Sequence, residues 1–251
     1  MIRLGIDFGG SGIKGGLVDV VKGELIQPRI RIPTPEGAKP KEVAAVVAEI
    51  CRGFGYHGAA GGTIPGVVQH GVVMTAANID DSWVGKDVER LFSQASNCEF
   101  HAVNDADAAG LAEIHYGVGK DFPGQVILMI TLGTGIGSAL FVDGSLVPNL
   151  ELGHLKVREK DAERRASDAA RQRKKLSWPA YAAALDEVLG EIEALIWPDV
   201  IVIGGGISKQ GEKFIPLLKR RAKVVPARLL NQAGIIGAAL YASEMEKRAQ
   251  A

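Results

Sequence analysis

Cysteine, net charge and long apolar runs are all scarce in this sequence of 251 residues. Its two cysteines, Cys51 and Cys98, are too few for a disulfide framework or a cysteine metal cluster. Lys and Arg number 29, as do Asp and Glu, and this zero net charge indicates no nucleic-acid or membrane partner. No apolar run approaches the roughly 20 residues that cross a bilayer. Because the first residues already predict a strand, we expect no signal peptide and a reducing cytoplasm.

Glycine is abundant, with 32 residues, and its first cluster lies in the stretch GSGIKG at 10–15. This stretch follows an apolar strand predicted over 2–7 and fits the G-x-G-x-x-G pattern of dinucleotide-binding turns. In those turns the glycines open a helix, whereas residues 13–21 contain two glycines and several β-branched residues, which favour a second strand. A turn over 22–24 and a third strand over 25–32 are predicted to follow. The pattern therefore excludes a dinucleotide unit, and no Gly-Lys-Ser/Thr follows to make a P-loop.

The strand, glycine turn and strand recur in residues 126–146. A shift of 124 positions places Gly9 on Gly133 and Asp7 on Thr131. Two such hairpins would present many backbone N–H groups to one anion. A third glycine cluster, at 204–206, follows an apolar strand predicted over 199–203. We call residues 9–12, 133–135 and 204–206 the first, second and third glycine turns.

Apolar residues at helical spacing predict a helix over 41–52, the alanine-rich residues 105–116 predict another, and further helices are predicted over 178–195 and 235–247. Residues 159–175 are polar, charged and helix-prone. Strands that alternate with helices in each half indicate an α/β protein.

Five ordered motifs resemble those of the ROK family of sugar kinases in the actin-like ATPase superfamily. Residues 7–14 and 132–137 are similar to its two phosphate motifs, 204–206 to its adenosine motif, and 104–109 with 151–154 to its sugar site. The resemblance covers residues 5–239. It implies an α/β, ribonuclease H-like fold with two lobes and a cleft between them. The small lobe would comprise 1–104, with a C-terminal helix over 235–251 packed back on it, and the large lobe 105–234.

Residues 76–80, Ser82, Trp83, Pro148 and Asn149 resemble the polyphosphate-using glucokinases of this family. The resemblance implies a cytoplasmic homodimer that transfers a terminal phosphoryl group from inorganic polyphosphate, ATP or both to the 6-hydroxyl of glucose. Two alternatives stay open. One is an ATP-only kinase for another hexose, such as mannose, fructose or an N-acetyl amino sugar, and the other is a non-catalytic sugar sensor.

The resemblance also assigns roles to individual residues. Asp105, which on local grounds alone would be a helix-start residue, becomes the general base for the sugar hydroxyl. Glucose would be bound by Asn78, Asn104, Asp105, Glu151 and His154. The donor phosphates or nucleotide would be bound by Asp7, Gly9, Gly10, Ser11, Gly12, Lys14, Thr131, Gly133, Thr134, Gly135, Gly204, Gly205 and Gly206. Asp7 would also hold Mg²⁺ through water.

Two further expectations concern metal and polyanion binding. ROK proteins typically follow the Glu-x-Gly-His motif with a cysteine-rich zinc motif, but residues 155–160 contain no cysteine, so we expect no zinc site. Residues 156–175 hold nine Lys or Arg against four acids, and 209–223 hold six against one. These stretches are either solvated helix faces or a basic track for polyphosphate. The candidate cations of the track are Arg164, Arg165, Lys209 and Lys213.

Overall fold

The computed structural model describes residues 1–77 and 79–250, which form two compact units. The first unit contains Met1–Ala112 and the segment that begins at Gln232, and the second contains Glu113–Asn231. The chain passes from one unit to the other twice, and the first passage falls inside the helix that begins at Asp105. The division into lobes at 104/105 and 234/235 stays a prediction.

The first unit is built on a mixed sheet. Its elements are β1 (Ile2–Gly9), β2 (Gly12–Asp19), β3 (Glu24–Leu25), β4 (Ile30–Ile32), α1 (Pro40–Phe54), β5 (Ala59–Ile64), β6 (Val68–Gln69), β7 (Val72–Val73), α2 (Val88–Ser96), β8 (Glu99–Asn104) and the start of α3 (Asp105–Tyr116). The strand order is β3-β2-β1-β5-β8, and β4 also pairs with β2. Because β1, β5 and β8 are parallel, their carboxyl ends lie at one edge of the sheet.

The predicted helices over 41–52 and 105–116 are confirmed as α1 and α3. The single strand predicted over 25–32 is wrong, because the chain forms two short strands, β3 and β4, that both pair with β2. Pro28 lies in the gap between them. Proline has no N–H for a ladder and restricts the residue before it, so the segment cannot continue as one strand.

The second unit repeats this plan. Its elements are β9 (Val126–Leu132), β10 (Ile136–Val142), β11 (Ser145–Val147), β12 (Lys156–Val157), β13 (Lys160–Asp161), α4 (Ala162–Ala166), α5 (Asp168–Arg173), α6 (Trp178–Ile196), β14 (Val200–Gly204) and β15 (Lys223–Pro226). The sheet order is β11-β10-β9-β14-β15, with β9 and β10 antiparallel and β14 parallel to β9. The predicted repeat is confirmed, because each unit pairs a glycine-turn hairpin with parallel strands.

Each unit has its own hydrophobic core. In the first, Trp83 packs between Phe8 and Phe92, with ring centroids 5.8 and 6.1 Å away. In the second, Phe214 stacks on Trp178 and meets Tyr181 edge-on. No helix among residues 1–77 and 79–250 combines the length and the apolar character needed to cross a membrane.

The last helix, α7 (Ala233–Gln250), belongs to the first unit and packs on β1 and β5. Two strand glycines allow this close contact. A Cβ at Gly5 would lie 1.9 Å from the carbonyl oxygen of Ile235, and one at Gly61 would lie 1.8 Å from that of Ala238. The helix backbone therefore rests directly on the sheet, where a side chain would force the two apart.

We expect Gly61→Ala to lower the free energy of unfolding by about 2–3 kcal/mol, at the upper end of the cost of overpacking a core. The reason is that neither the strand nor the α7 backbone can yield by the length of a methyl group. Urea unfolding measures the change. Gly10→Ala is the matched control, because a Cβ there has no described atom within 4 Å. Equal stability of the two variants would contradict the packing argument.

Candidate active site

The first glycine turn connects β1 to β2, and Gly9 faces Gly12 across it. Asp7 before the turn and Lys14 after it are cross-strand partners, and Lys14 Nζ lies 2.9 Å from Asp7 Oδ2. The charge of Lys14 is therefore compensated by a carboxylate in the same site. Gly10 and Ser11 are exposed at the tip, where their backbone is accessible to a ligand.

Segment 31–34 supports the turn from outside, which the sequence did not indicate. The Thr34 hydroxyl donates to the carbonyl oxygen of Gly9 at 2.6 Å, and Arg31 Nη2 donates to that of Ser11 at 2.9 Å. Only the pairing of β4 with β2 brings this segment to the turn.

Asn104 and Asp105 lie where β8 ends and α3 begins. Asn104 is buried, and its Oδ1 accepts from the backbone N–H groups of Ala106 and Asp107 at 2.8 and 3.1 Å. Its Nδ2 donates to the carbonyl oxygen of Gly66 at 3.1 Å. These bonds make Asn104 the cap of α3. Asp105 is half-buried, and its Oδ1 accepts from Ala106 N–H at 2.8 Å, so the start of the helix also fixes this carboxylate.

The first glycine turn and Asp105 lie at one edge of the same sheet, because both follow the carboxyl ends of parallel strands. One strand, β5, separates β1 from β8, which corresponds to about 10 Å between them. Thr63 on β5 braces this edge by accepting from Phe8 N–H at 2.9 Å. Asn78, predicted to bind the sugar, lies outside the described residues.

In the second unit, the second and third glycine turns are adjacent. A Cβ at Gly205, whose φ is +80°, would lie 2.4 Å from the carbonyl oxygen of Leu132. The second turn is closed by a bond from Gly133 N–H to Gly135 O at 3.1 Å, and Ala169 N–H donates to Gly133 O at 3.1 Å. Gly133 and Thr134 are exposed, while Thr131 is half-buried at the end of β9. The turns at 133–135 and 204–206 thus form one glycine-lined surface.

The predicted sugar motif lies against this surface. A Cβ at Gly153 would lie 2.3 Å from the carbonyl oxygen of Ile136, so only glycine allows the motif to pack beside the second turn. Ser138 fixes the approach, because its hydroxyl donates to Leu150 O at 2.6 Å and accepts from Leu152 N–H at 3.1 Å. Glu151 Oε2 and His154 Nε2 lie 3.5 Å apart across a turn of 3₁₀ helix.

Partial burial raises the pKa of the Glu151 carboxyl, and the neighbouring His154 opposes the shift. Only an ionised carboxylate accepts hydrogen bonds through both oxygens, so protonation weakens a contact with sugar hydroxyls. If Glu151 binds glucose, KM for glucose rises on acidification, starting at a higher pH than for an unshifted carboxyl. Glu151→Gln cannot titrate, so its KM should be raised but flat across this range. If KM for glucose in Glu151→Gln rose on acidification as it does in the wild type, the assignment would be contradicted.

The four candidate polyphosphate cations have different surroundings. Arg165 is 19% exposed and pairs with Glu187, and Arg164 Nε lies 3.4 Å from Asp161 Oδ2. Lys213 donates to the Gln210 amide at 3.0 Å. Lys209 is exposed, and no carboxylate pairs with it among residues 1–77 and 79–250.

The two basic stretches meet at Trp178. The Lys213 ammonium lies 5.4 Å from the ring centroid of Trp178, and the Arg171 guanidinium lies 4.6 Å from it. The sequence did not single out Arg171 or Trp178, because 42 positions separate Arg171 from Lys213 and only the fold joins them. Arg171 Nε also lies 2.8 Å from Asp168 Oδ1. Asp168 directly precedes Ala169, whose N–H donates to Gly133 O in the second glycine turn.

Within the described ranges, no group of three or more His, Cys, Asp and Glu side chains is arranged to hold a metal ion. Both cysteines are buried thiols. The expectation of no structural zinc stays a prediction, and metal analysis of the purified protein tests it.

A model of the ROK family matches residues 3–165. The chain is 51% identical over 237 residues to polyphosphate glucokinase of Mycobacterium tuberculosis, covering 94% of this chain and 89% of that protein. The chain belongs to the ROK family.

Solved structures share the fold of this chain. The inorganic polyphosphate/ATP-glucomannokinase of Arthrobacter sp. strain KM superposes with a TM-score of 0.92 at 46% identity, covering 97% of this chain and 99% of that one. A ROK family glucokinase of Streptomyces griseus, solved with glucose and AMPPNP, gives 0.81 at 23% identity, with 97% and 100% covered. The expected α/β fold of the actin-like ATPase type is confirmed.

Proposed function

We propose that this ROK protein is a polyphosphate-dependent glucokinase, which transfers a terminal phosphoryl group from inorganic polyphosphate, ATP or both to the 6-hydroxyl of glucose. The similarity to the Mycobacterium and Arthrobacter enzymes supports this function. The observation that carries the chemistry is the position of Asp105. Its carboxylate is fixed at the sheet edge that also carries the first glycine turn.

In the proposed reaction, Asp105 accepts the proton of the glucose 6-hydroxyl as that oxygen attacks the terminal phosphorus. The new O–P bond forms while the phosphoanhydride bond breaks, and the leaving group is the polymer shortened by one phosphate, or ADP. A carboxylate is a sufficient base, because phosphoryl transfer depends mainly on orientation and charge stabilisation. The bonds of Asn104 and Ala106 N–H hold Asp105 in one orientation, which reduces the entropic cost of the step.

We further propose that glucose is held by Asn78, Asn104, Asp105, Glu151 and His154. Asn104 already uses both ends of its amide, so it contributes to sugar binding chiefly by fixing Asp105. Glu151 and His154 offer an acceptor and a ring nitrogen 3.5 Å apart, a spacing suited to two neighbouring hydroxyls.

For the donor, the three glycine turns supply exposed backbone for the phosphates. We propose that Asp7 takes part in holding the Mg²⁺ that accompanies them, since Mg²⁺ is usually bound by one or two carboxylates together with substrate phosphates. The residues fit this role. Asp7 is an oxygen ligand beside the turn, with one oxygen engaged by Lys14 and the other remaining for a metal-bound water. The ion supplies charge neutralisation on the donor phosphates when it is bound.

We also propose a cytoplasmic homodimer. Two free, buried thiols are compatible with a reducing compartment. Light scattering of the purified protein measures the oligomeric state.

A coupled assay for glucose 6-phosphate tests the enzyme against its alternatives. With Mg²⁺, glucose and either donor, we expect product, and chelation should abolish turnover until Mg²⁺ is restored. Mannose, fructose and N-acetylglucosamine are assayed in parallel. Glucose binding without turnover would identify a sensor, and turnover with ATP alone would identify an ATP-only kinase.

A further inference from the structure

Three charged residues form a row across the first unit's sheet. Asp7 on β1 pairs with Lys14 on β2, and Lys14 pairs with Arg31 on β4. Cross-strand partners place their side chains on the same face. Because Asp7 compensates Lys14 at 2.9 Å, the net positive charge of the row resides on Arg31.

Arg31 is held on the tip of the first glycine turn. Its Nη2 donates to Ser11 O at 2.9 Å, and a Cβ at Gly12 would lie 2.8 Å from the guanidinium. Gly12 thus leaves the space that the guanidinium occupies. The side chain is exposed, and no carboxylate pairs with it in the described part of the chain.

The strand pattern explains this placement. Ile30 and Ile32 pack on the core of the first unit, so the alternation of β4 directs Arg31 to the opposite face. Of the five N–H donors of a guanidinium, the described contact uses one, which leaves a charged fork beside an exposed glycine backbone.

We propose that Arg31 binds a phosphate of the phosphoryl donor at the first glycine turn. The ligand class is a linear phosphoanhydride chain, either inorganic polyphosphate or the triphosphate of ATP. Lys14, which pairs with Asp7, positions that carboxylate, while Arg31 supplies the uncompensated charge. This assignment rests on the proposed function, because it takes the first turn as a donor site.

Arg31→Gln is the primary test. We expect KM for polyphosphate and for ATP to rise about ten-fold, the scale of one lost hydrogen bond to a charged group, with KM for glucose unchanged. The dependence of log KM for polyphosphate on log salt should also become shallower by about one unit, by analogy with nucleic-acid phosphates. Arg31→Lys keeps the charge without the fork and should recover part of the affinity.

The control is Arg90→Gln, an equal loss of charge on the exposed face of α2, which packs against β8 at the opposite edge of the sheet. Thermal unfolding and KM for glucose separate a binding role from a structural one, since a residue that only braces Ser11 would shift the unfolding temperature or kcat instead. Donor KM values within two-fold of wild type in Arg31→Gln would overturn the assignment. If that variant fails to fold, Arg31→Lys decides: loss of the fork should leave donor KM values more than two-fold above wild type, and values within two-fold would overturn the assignment.

Calorimetric titration with inorganic tripolyphosphate keeps this inference distinct from the proposed function. If wild type binds tripolyphosphate and Arg31→Gln binds it about ten-fold more weakly, Arg31 is a phosphate ligand even if no sugar is phosphorylated. If wild type phosphorylates glucose and both proteins bind tripolyphosphate equally, the role of Arg31 is wrong while the proposed function stands.

Discussion

Replacement of Asp105 with alanine is expected to lower kcat for glucose phosphorylation by at least about 100-fold, the usual contribution of a general base. Binding of glucose should change much less, because the other proposed sugar ligands remain. The effect therefore appears in kcat and kcat/KM together, the pattern of an interaction made mainly in the transition state. Steady-state kinetics with glucose as the varied substrate measure it.

A second variant separates base catalysis from the start of α3. Asp105→Asn keeps an oxygen that can accept from Ala106 N–H, so the helix start survives while the base is lost. We expect it to fold like wild type and to lose kcat like the alanine variant. Asp121→Asn is the control, since that exposed acid pairs with Arg228 in the second unit. Near-normal kcat in folded Asp105→Asn would contradict the assignment.

The second large effect concerns the donor. Reversal of charge at Lys209 and Lys213 together should raise KM for polyphosphate about five- to ten-fold, since each exposed cation is worth about 0.2–1 kcal/mol. The kcat/KM for ATP should change much less, because ATP also gains affinity from its ribose and base. Polyphosphate has only charge, so its KM should also rise more steeply with salt. Kinetics with each donor at matched Mg²⁺ make the comparison.

The structure favours this pair over Arg164 and Arg165 as the sharper test. Arg165 is largely buried against Glu187, so a glutamate there would place two carboxylates together and lower stability. Lys247→Glu with Arg248→Glu, at the exposed end of α7, is the control with an equal change in charge. An equal effect of the Lys209 and Lys213 reversal on both donors, or none, would mean that this surface is only solvated.

Local sequence was informative where local chemistry decides the structure. Glycine turns between apolar strands predicted both hairpins, and α3 begins and ends where its alanine-rich sequence indicated. Strand β5, Ala-Ala-Gly-Gly-Thr-Ile, escaped prediction because alanine and glycine have low strand propensity. Gly61 in this strand is needed because it allows α7, almost 180 positions later in the chain, to approach the sheet. Such a tertiary reason is invisible to local propensity.

The candidate site, like the fold, was only partly predictable from the sequence. Motif resemblance proposed roles for Asp105, Glu151 and His154, but it did not reveal which cations are already compensated. That depends on strand register, which pairs Lys14 with Asp7 and places Arg31 at the turn. It also depends on packing, which brings Arg171 and Lys213 to the ring of Trp178.

The most direct test of the central proposal is turnover of glucose with purified inorganic polyphosphate and Mg²⁺ in the complete absence of nucleotide. Phosphorus NMR follows both the product and the polymer. We predict that glucose 6-phosphate appears in step with the loss of internal phosphates from the polymer, because each terminal phosphoryl group that is transferred leaves a new terminus, and that Asp105→Asn abolishes both. Release of orthophosphate without glucose 6-phosphate, or product that forms only when ATP is added, would contradict the account.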